Sequence, residues 1–232
     1  MSLGPTTTPS TAALVATPPV LALPVRPRLR GVLHLVAFPV SVVTGGVLLL
    51  GVADSPAERR ACLVYTLATA TLFGVSALYH RGRWDARTHA RLRRLDHSNI
   101  VLMIAGTYTP LCVALLDGTT QRVVLGVVWL GALAGIAFRV AWLAAPAWLY
   151  TPFYVALGWV AVAVLPDLSR AGGDTVTALI VLGGLAYSAG GVVYAVKRPD
   201  PAPATFGYHE IFHVGTLVGF ACHYAAVALA VG

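Results

Sequence analysis

Apolar residues dominate the chain in runs separated by short polar or turn-forming segments. Each run approaches the roughly 20 residues that an α-helix needs to cross about 30 Å of bilayer hydrocarbon. The predicted helices cover residues 31–53, 60–80, 97–116, 121–143, 149–166, 175–195 and 208–231. The pattern therefore predicts an all-α fold: a polytopic membrane protein built as a seven-transmembrane-helix bundle.

The first 25 residues have a different composition, rich in Pro, Thr and Ala, with no basic residue before Arg26. A secretory signal needs a cationic region ahead of its apolar stretch, and the prolines here would break such a helix. We expect a disordered tail over residues 1–25, followed by one transmembrane domain over residues 26–232.

Composition supports a membrane protein, because 57% of the 232 residues are hydrophobic and only 11% are charged. Soluble domains carry about 25% charged residues. The net charge of +7 would suggest a nucleic-acid partner in a soluble chain. Here the basic residues cluster in short segments between apolar runs, as membrane orientation requires, so no nucleic-acid binding is expected.

The basic residues divide unequally between the two sides of the predicted bundle. One side carries twelve of the 16 lysines and arginines, namely Arg26, Arg28, Arg30, Arg81, Arg83, Arg87, Arg91, Arg93, Arg94, Arg139, Lys197 and Arg198. The other side carries Arg59, Arg60, Arg122 and Arg170. Because cytoplasmic loops are enriched in basic residues, the N-terminus is predicted in the cytoplasm and, after seven spans, the C-terminus outside.

Two histidines of the last predicted helix, His209 and His213, have the spacing of metal ligands. Residues four apart share a helical face and lie about 6 Å apart along the axis, which suits one ion. His80, at the end of the second helix, is predicted at the same depth, and three histidines with an open fourth position are typical of zinc. His223 lies about 15 Å beyond His213 and is too far to share the ion. The alternative is that these are hydrogen-bonded core histidines, although polar residues within membranes usually mark functional sites.

A carboxylate and a hydroxyl are predicted beside these histidines. Asp96, at the start of the third helix, could orient a ligand or take a proton from water, or it could only cap the helix. Ser76 lies one turn before His80 and could bond the imidazole or water, or only its own backbone. Bound zinc can bring the pKa of water down to about 7, and a proton acceptor beside the metal could then take the proton of that water.

Three other polar residues have two interpretations each. His34 enters the first helix and either borders the site or lies at the membrane interface, and we favour the interface. His97 must point about 100° away from Asp96, so only one of them faces the site, and Asp96 is the better candidate. Glu210 points away from the histidine pair and could cap the last helix or pair with a basic loop residue.

Three stretches together resemble the hemolysin III family, the bacterial branch of the progestin and adiponectin receptor superfamily. The stretches are Ser76-Ala-Leu-Tyr-His80-Arg, Leu95-Asp-His-Ser-Asn-Ile100 with Ala105-Gly-Thr-Tyr-Thr-Pro110, and His209-Glu-Ile-Phe-His213 with His223. The resemblance covers about residues 30–231. It implies seven helices in the bacterial inner membrane with a cytoplasmic N-terminus. It also implies a zinc ion near the cytoplasmic face, held by His80, His209 and His213, with Asp96 and Ser76 beside it.

The resemblance implies two classes of function, both with membrane lipids as partners. The relation of the family to alkaline ceramidases implies a zinc-dependent hydrolase of lipid amides or esters, with Asp96 as general base and then acid and Ser76 positioning water. The alternative is a non-catalytic, receptor-like regulator of membrane lipid state or a pore-forming cytolysin, in which zinc joins the second and seventh helices. The sequence does not identify the lipid or the oligomeric state.

Overall fold

The computed structural model describes residues 27–232, so the predicted tail of residues 1–25 lies outside it. Regular structure in residues 27–232 is helical, apart from an isolated bridge between Ala202 and Phe206. The all-α prediction is therefore confirmed for this part of the chain. The helices are α1 (Val32–Val47), α2 (Pro56–Arg81), α3 (Ala86–Leu115), α4 (Gly118–Ala141), α5 (Ala147–Gly158), α6 (Leu165–Val196) and α7 (Tyr208–Val231).

Helical stretches long and apolar enough to cross a membrane number six within residues 27–232. They are Val32–Val52, Pro56–Arg81, Ala86–Leu115, Gly118–Ala141, Ala147–Val196 and Tyr208–Val231. Their outward faces expose large apolar side chains such as Leu50, Leu130 and Trp148, the first of them 91% exposed. Soluble monomers rarely expose apolar surface on this scale, whereas a bilayer solvates it.

The N-terminus of α3 lies at Ala86, earlier than the predicted start at residue 97. Asp85 caps it by accepting hydrogen bonds from the backbone N–H groups of Arg87 and Thr88. A hydrogen bond from the Thr88 hydroxyl, together with these backbone bonds, lowers the pKa of the Asp85 carboxyl. The arginine-rich segment that follows is helical because arginine favours helices and its charge can stay in water. An apolar pattern reports only the part of a helix that lies in the membrane.

The stretch Ala147–Val196 contains two departures from α-helical geometry. A 3-10 segment, Trp159–Val164, separates α5 from α6. Within α6, Gly173 leaves the helical conformation with φ 73° and ψ 179°, a region of backbone space that glycine adopts without steric cost. This break falls inside the connection predicted between residues 166 and 175.

Tyr108 of α3 stabilises the junction between α5 and the 3-10 segment. Its hydroxyl donates to the carbonyl of Gly158 at 2.7 Å and accepts from the backbone N–H of Ala161 at 2.6 Å. A break in regular helix frees backbone groups that must find partners inside a membrane, and a buried hydroxyl provides them.

The helices pack so that one end of the bundle gathers the predicted site residues. α2 packs mainly on α1 and α3, whereas α7 packs mainly along α6 and also contacts α3 and α1. Close approach of α6 and α7 requires small residues, since a Cβ on Gly215 would lie 2.9 Å from the carbonyl oxygen of Ala186. The start of α1, the end of α2 and the start of α7 meet at what we call the histidine end.

Candidate metal centre

Three histidines converge at the histidine end of the bundle. His80 is the penultimate residue of α2, and His209 and His213 lie in the first two turns of α7. Their candidate ligand nitrogens all lie within 4.8 Å of one another. The Nε2 atoms of His80 and His209 are 3.2 Å apart. Nitrogens bound tetrahedrally to zinc at about 2.0–2.1 Å would be roughly 3.3 Å apart, so this arrangement can hold one metal ion.

Burial makes a shared cation the natural partner of these rings. His80 and His213 are buried and His209 is half-buried. Two imidazole nitrogens that face each other at 3.2 Å need a proton or a metal ion between them, because two lone pairs repel. Charging imidazole in apolar surroundings is costly, whereas metal binding uses the neutral ring.

Glu210 fixes the start of α7, on which two of the three histidines lie. Its side chain is fully buried, accepts the backbone N–H of Gly207 at 2.8 Å and pairs with the Nε of Arg30 at 2.5 Å. Glu210 therefore has both predicted roles: it caps the last helix and it pairs with a basic residue. The segment before α1 is joined to the same region, because Arg28 and Leu29 donate their N–H groups to the backbone ahead of α7.

Gly31 brings the backbone ahead of α1 into contact with His80. It has φ +78°, and a Cβ at this position would lie 2.6 Å from the Cβ of His80. Real Cβ atoms do not approach so closely, and the contact is to the root of the side chain and not to a flexible end. Glycine is therefore required here both for its φ and for the space that His80 occupies.

Replacing Gly31 with alanine is expected to displace His80 and weaken metal binding. The positive φ alone costs an L-residue about 1–2 kcal/mol, and the contact with His80 adds to it. Thermal unfolding and the metal content of the purified protein should both fall. Gly46→Ala is the matched control, because nothing lies within 4 Å of its Cβ position. Equal metal content in both variants would contradict this role of Gly31.

Asp96 and Ser76 lie beside the histidine cluster. Asp96 Oδ2 is 3.9 Å from His80 Nε2, and the carboxyl is half-buried. Ser76 is buried one turn before His80 and hydrogen-bonds the Asp96 carboxyl. The structure thus places a proton acceptor and its orienting hydroxyl next to a candidate ligand nitrogen. Their catalytic roles stay predictions.

His34 does not lie at the membrane interface, and our preference for that location is wrong. The ring is 3% exposed and stacks on His213, with centroids 3.7 Å apart and planes 11° apart. Neither ring nitrogen has a hydrogen-bond partner among residues 27–232. The Arg30–Glu210 pair holds the start of α1 against α7, and this carries His34 into the interior.

His97 points away from the cluster and pairs with a residue that sequence reasoning missed. Its Nδ1 contacts the guanidinium of Arg139, which is fully buried on α4 and also lies 4.3 Å from the ring centre of Tyr150. In the predicted topology, Arg139 is only one of the twelve basic residues of one side. The available signal was its position within the apolar run of α4, since a buried membrane arginine usually has a specific partner.

A cavity of about 150 Å³ opens from the cluster into the bundle. Asp96, His209 and His213 line one end, and Tyr187 and His223 line another part of the wall. Aromatic and aliphatic side chains from α3, α5, α6 and α7 form most of the remaining wall. Apolar cavities with a few polar groups are typical of small-molecule sites.

Comparison with known proteins finds the same family from independent matches. Residues 24–224 match the sequence profile described as haemolysin-III related. The hemolysin-3 homolog of Bacillus subtilis (strain 168) is 32% identical over 170 residues, covering 70% of this chain and 77% of that protein. Hemolysin-3 of Bacillus cereus is 30% identical over 169 residues, covering 71% of this chain and 72% of that protein.

Proposed function

The chain belongs to the hemolysin III family and is a multi-pass protein of the bacterial cell membrane, and on that premise we propose that it is a zinc-dependent hydrolase of lipid amides or esters. The observation that carries this proposal is the position of Asp96, 3.9 Å from His80 within the histidine cluster. A carboxylate that lies beside candidate metal ligands and lines an apolar cavity is placed to take a proton from water at the metal.

His80, His209 and His213 would hold the ion through neutral imidazole nitrogens. Zinc fits this donor set, since three nitrogens with an open position are typical of its catalytic sites. When bound, zinc supplies Lewis-acid chemistry by polarising a carbonyl oxygen and acidifying water.

The remaining side chains have defined parts in the proposed reaction. Asp96 accepts a proton from water and returns it to the leaving amine or alcohol. The Ser76 hydroxyl, bonded to that carboxyl, orients it. The apolar cavity receives the acyl chain and keeps bulk water away from the reacting bond.

For the topology, we propose seven spans with the histidine end in the cytoplasm. The stretch Ala147–Val196 has 50 residues, and as a helix would be about 75 Å long, more than twice the thickness of the hydrocarbon core. Gly173 provides a break at which it can turn back. The arginine-rich start of α3 extends from the histidine end, and such clusters favour the cytoplasmic side.

The direct test combines metal analysis with lipid product analysis on one preparation. Wild-type protein is expected to contain about one zinc ion per chain and to release fatty acid from a panel of N-acyl and O-acyl lipids. Chelation should stop release, and added zinc should restore it. Zinc-loaded protein that releases no fatty acid from any lipid of the panel would overturn the hydrolase proposal.

A second candidate function is a non-catalytic regulator of membrane lipid state with a structural metal. It is favoured by the packing, because α2 contacts mainly α1 and α3 while α7 packs along α6, so the cluster directly joins α2 to α7. In that case chelation should lower the unfolding temperature while no lipid product is found. Leakage of dye from liposomes that contain the wild-type protein would instead favour a pore.

A further inference from the structure

Two residues with buried polar groups line the cavity outside the histidine cluster. The rings of Tyr187 on α6 and His223 on α7 have centroids 5.4 Å apart, and both line the cavity. The Tyr187 hydroxyl and the His223 Nδ1 are buried and have no hydrogen-bond partner among residues 27–232. Burying such groups without partners is costly, so a hydrogen-bonding group in the adjoining cavity would stabilise both.

The hydrogen bond at the other side of the His223 ring determines what Nδ1 can bind. His223 Nε2 lies 3.1 Å from the carbonyl oxygen of Ile180. A carbonyl only accepts, so Nε2 carries the proton, and Nδ1 of the neutral ring is an acceptor. A ligand that bonds both groups would therefore donate to Nδ1 and accept from, or donate to, the Tyr187 hydroxyl. An alcohol meets this requirement, whereas a carboxylate has no proton to donate to Nδ1 and an ammonium would bring an unpaired charge into an apolar cavity.

Two glycines, Gly183 and Gly219, leave space for the two rings between α6 and α7. A Cβ on Gly183 would collide with the His223 ring, and a Cβ on Gly219 would lie 2.5 Å from the Tyr187 ring. Glycine at both positions lets each ring lie against the opposite helix. The packing of α6 against α7 therefore fixes the positions of both rings.

We propose that this pair, which we call the inner hydroxyl site, binds the hydroxyl of a lipid chain lying in the cavity. His223 is ten residues beyond His213 on α7, about 15 Å along the axis. A chain with its polar head at the histidine cluster would present a mid-chain hydroxyl at this depth. This inference rests on the proposed function in one respect: it places the polar head of the lipid at the histidine cluster.

Ricinoleate and oleate form a matched pair of probes, because only ricinoleate carries a mid-chain hydroxyl. Their dissociation constants for the wild-type protein in nanodiscs can be measured by displacement of a fluorescent fatty acid. Ricinoleate is expected to bind about fivefold more tightly, as one net hydrogen bond would give. Tyr187→Phe, which removes only the hydroxyl, should bring the ratio close to one. Binding needs no turnover, so failure of the hydrolase proposal would leave this result intact.

Tyr194→Phe is the control, since Tyr194 also lines the cavity but its hydroxyl lies 3.4 Å from that of Tyr150. It should keep the wild-type preference, and His223→Phe should lose it as Tyr187→Phe does. Equal binding of the two fatty acids to wild-type protein, or a preference that survives in both variants, would overturn the proposal and assign these groups to buried water.

Discussion

Replacing His213 with alanine is expected to remove the bound metal, lowering the zinc content from about one ion per chain to near zero. His213 lies within 4.8 Å of the candidate ligand nitrogens of His80 and His209, so its loss leaves two ligands for one ion. Loss of a residue that only supports a ligand already costs about 10- to 100-fold in affinity, and loss of a ligand should cost more. Elemental analysis and titration with a competing chelator measure both quantities.

Two matched variants separate loss of a ligand from loss of any histidine. His223→Ala changes the same helix outside the cluster, and His89→Ala changes an exposed histidine of α3. Both should retain the metal. His213→Ala should also unfold at a lower temperature than wild-type protein, because metal that binds only the folded state stabilises it. Wild-type zinc content in His213→Ala would place the metal elsewhere.

The sequence predicted the helices well because a bilayer imposes a simple requirement. Each spanning segment must satisfy its own backbone and present an apolar surface, and the start of α7 at Tyr208 agrees with the predicted 208. The same requirement does not predict helical segments that extend beyond the hydrocarbon core of the bilayer. The predicted third helix therefore begins only at residue 97, although the cap at Asp85 starts α3 at Ala86.

The candidate site was predictable in part, because its strongest element is local. His209 and His213 share a face of one helix, and a spacing of four residues shows this directly. The proximity of His80 depends on how α2 and α7 pack, which no local pattern gives. The resemblance to a family provided that link, and the structure provides it independently.

The residues that were missed depend on contacts between distant parts of the chain. His34 becomes a wall of the cavity because Arg30 pairs with Glu210, 180 positions away in sequence. The sequence does not distinguish Gly31 from the other glycines, because its role depends on its contact with His80 in the folded protein. Arg139 has a partner, His97, on another helix. In each case the residue type was informative only together with a partner that folding brings near.

Replacing Asp96 with asparagine is expected to separate chemistry from metal binding. The amide keeps the size of the carboxyl and can still bond the Ser76 hydroxyl, but it cannot accept a proton from water. A positioned general base contributes about 100- to 10,000-fold to a rate, so fatty acid release should fall by that factor. The zinc content should stay near that of wild-type protein, because Asp96 contacts His80 only at 3.9 Å.

Ser76→Ala is the graded control for this prediction. Ser76 acts through the Asp96 carboxyl, so its loss should lower the rate less than Asp96→Asn and should also leave the zinc content unchanged. Asp96→Asn that loses zinc as completely as His213→Ala would show that the carboxylate is needed for metal binding, which would favour the non-catalytic alternative. Asp96→Asn that keeps both zinc and the full rate would show that another group accepts the proton. Only a loss of rate with retained metal supports Asp96 as the base of a hydrolase.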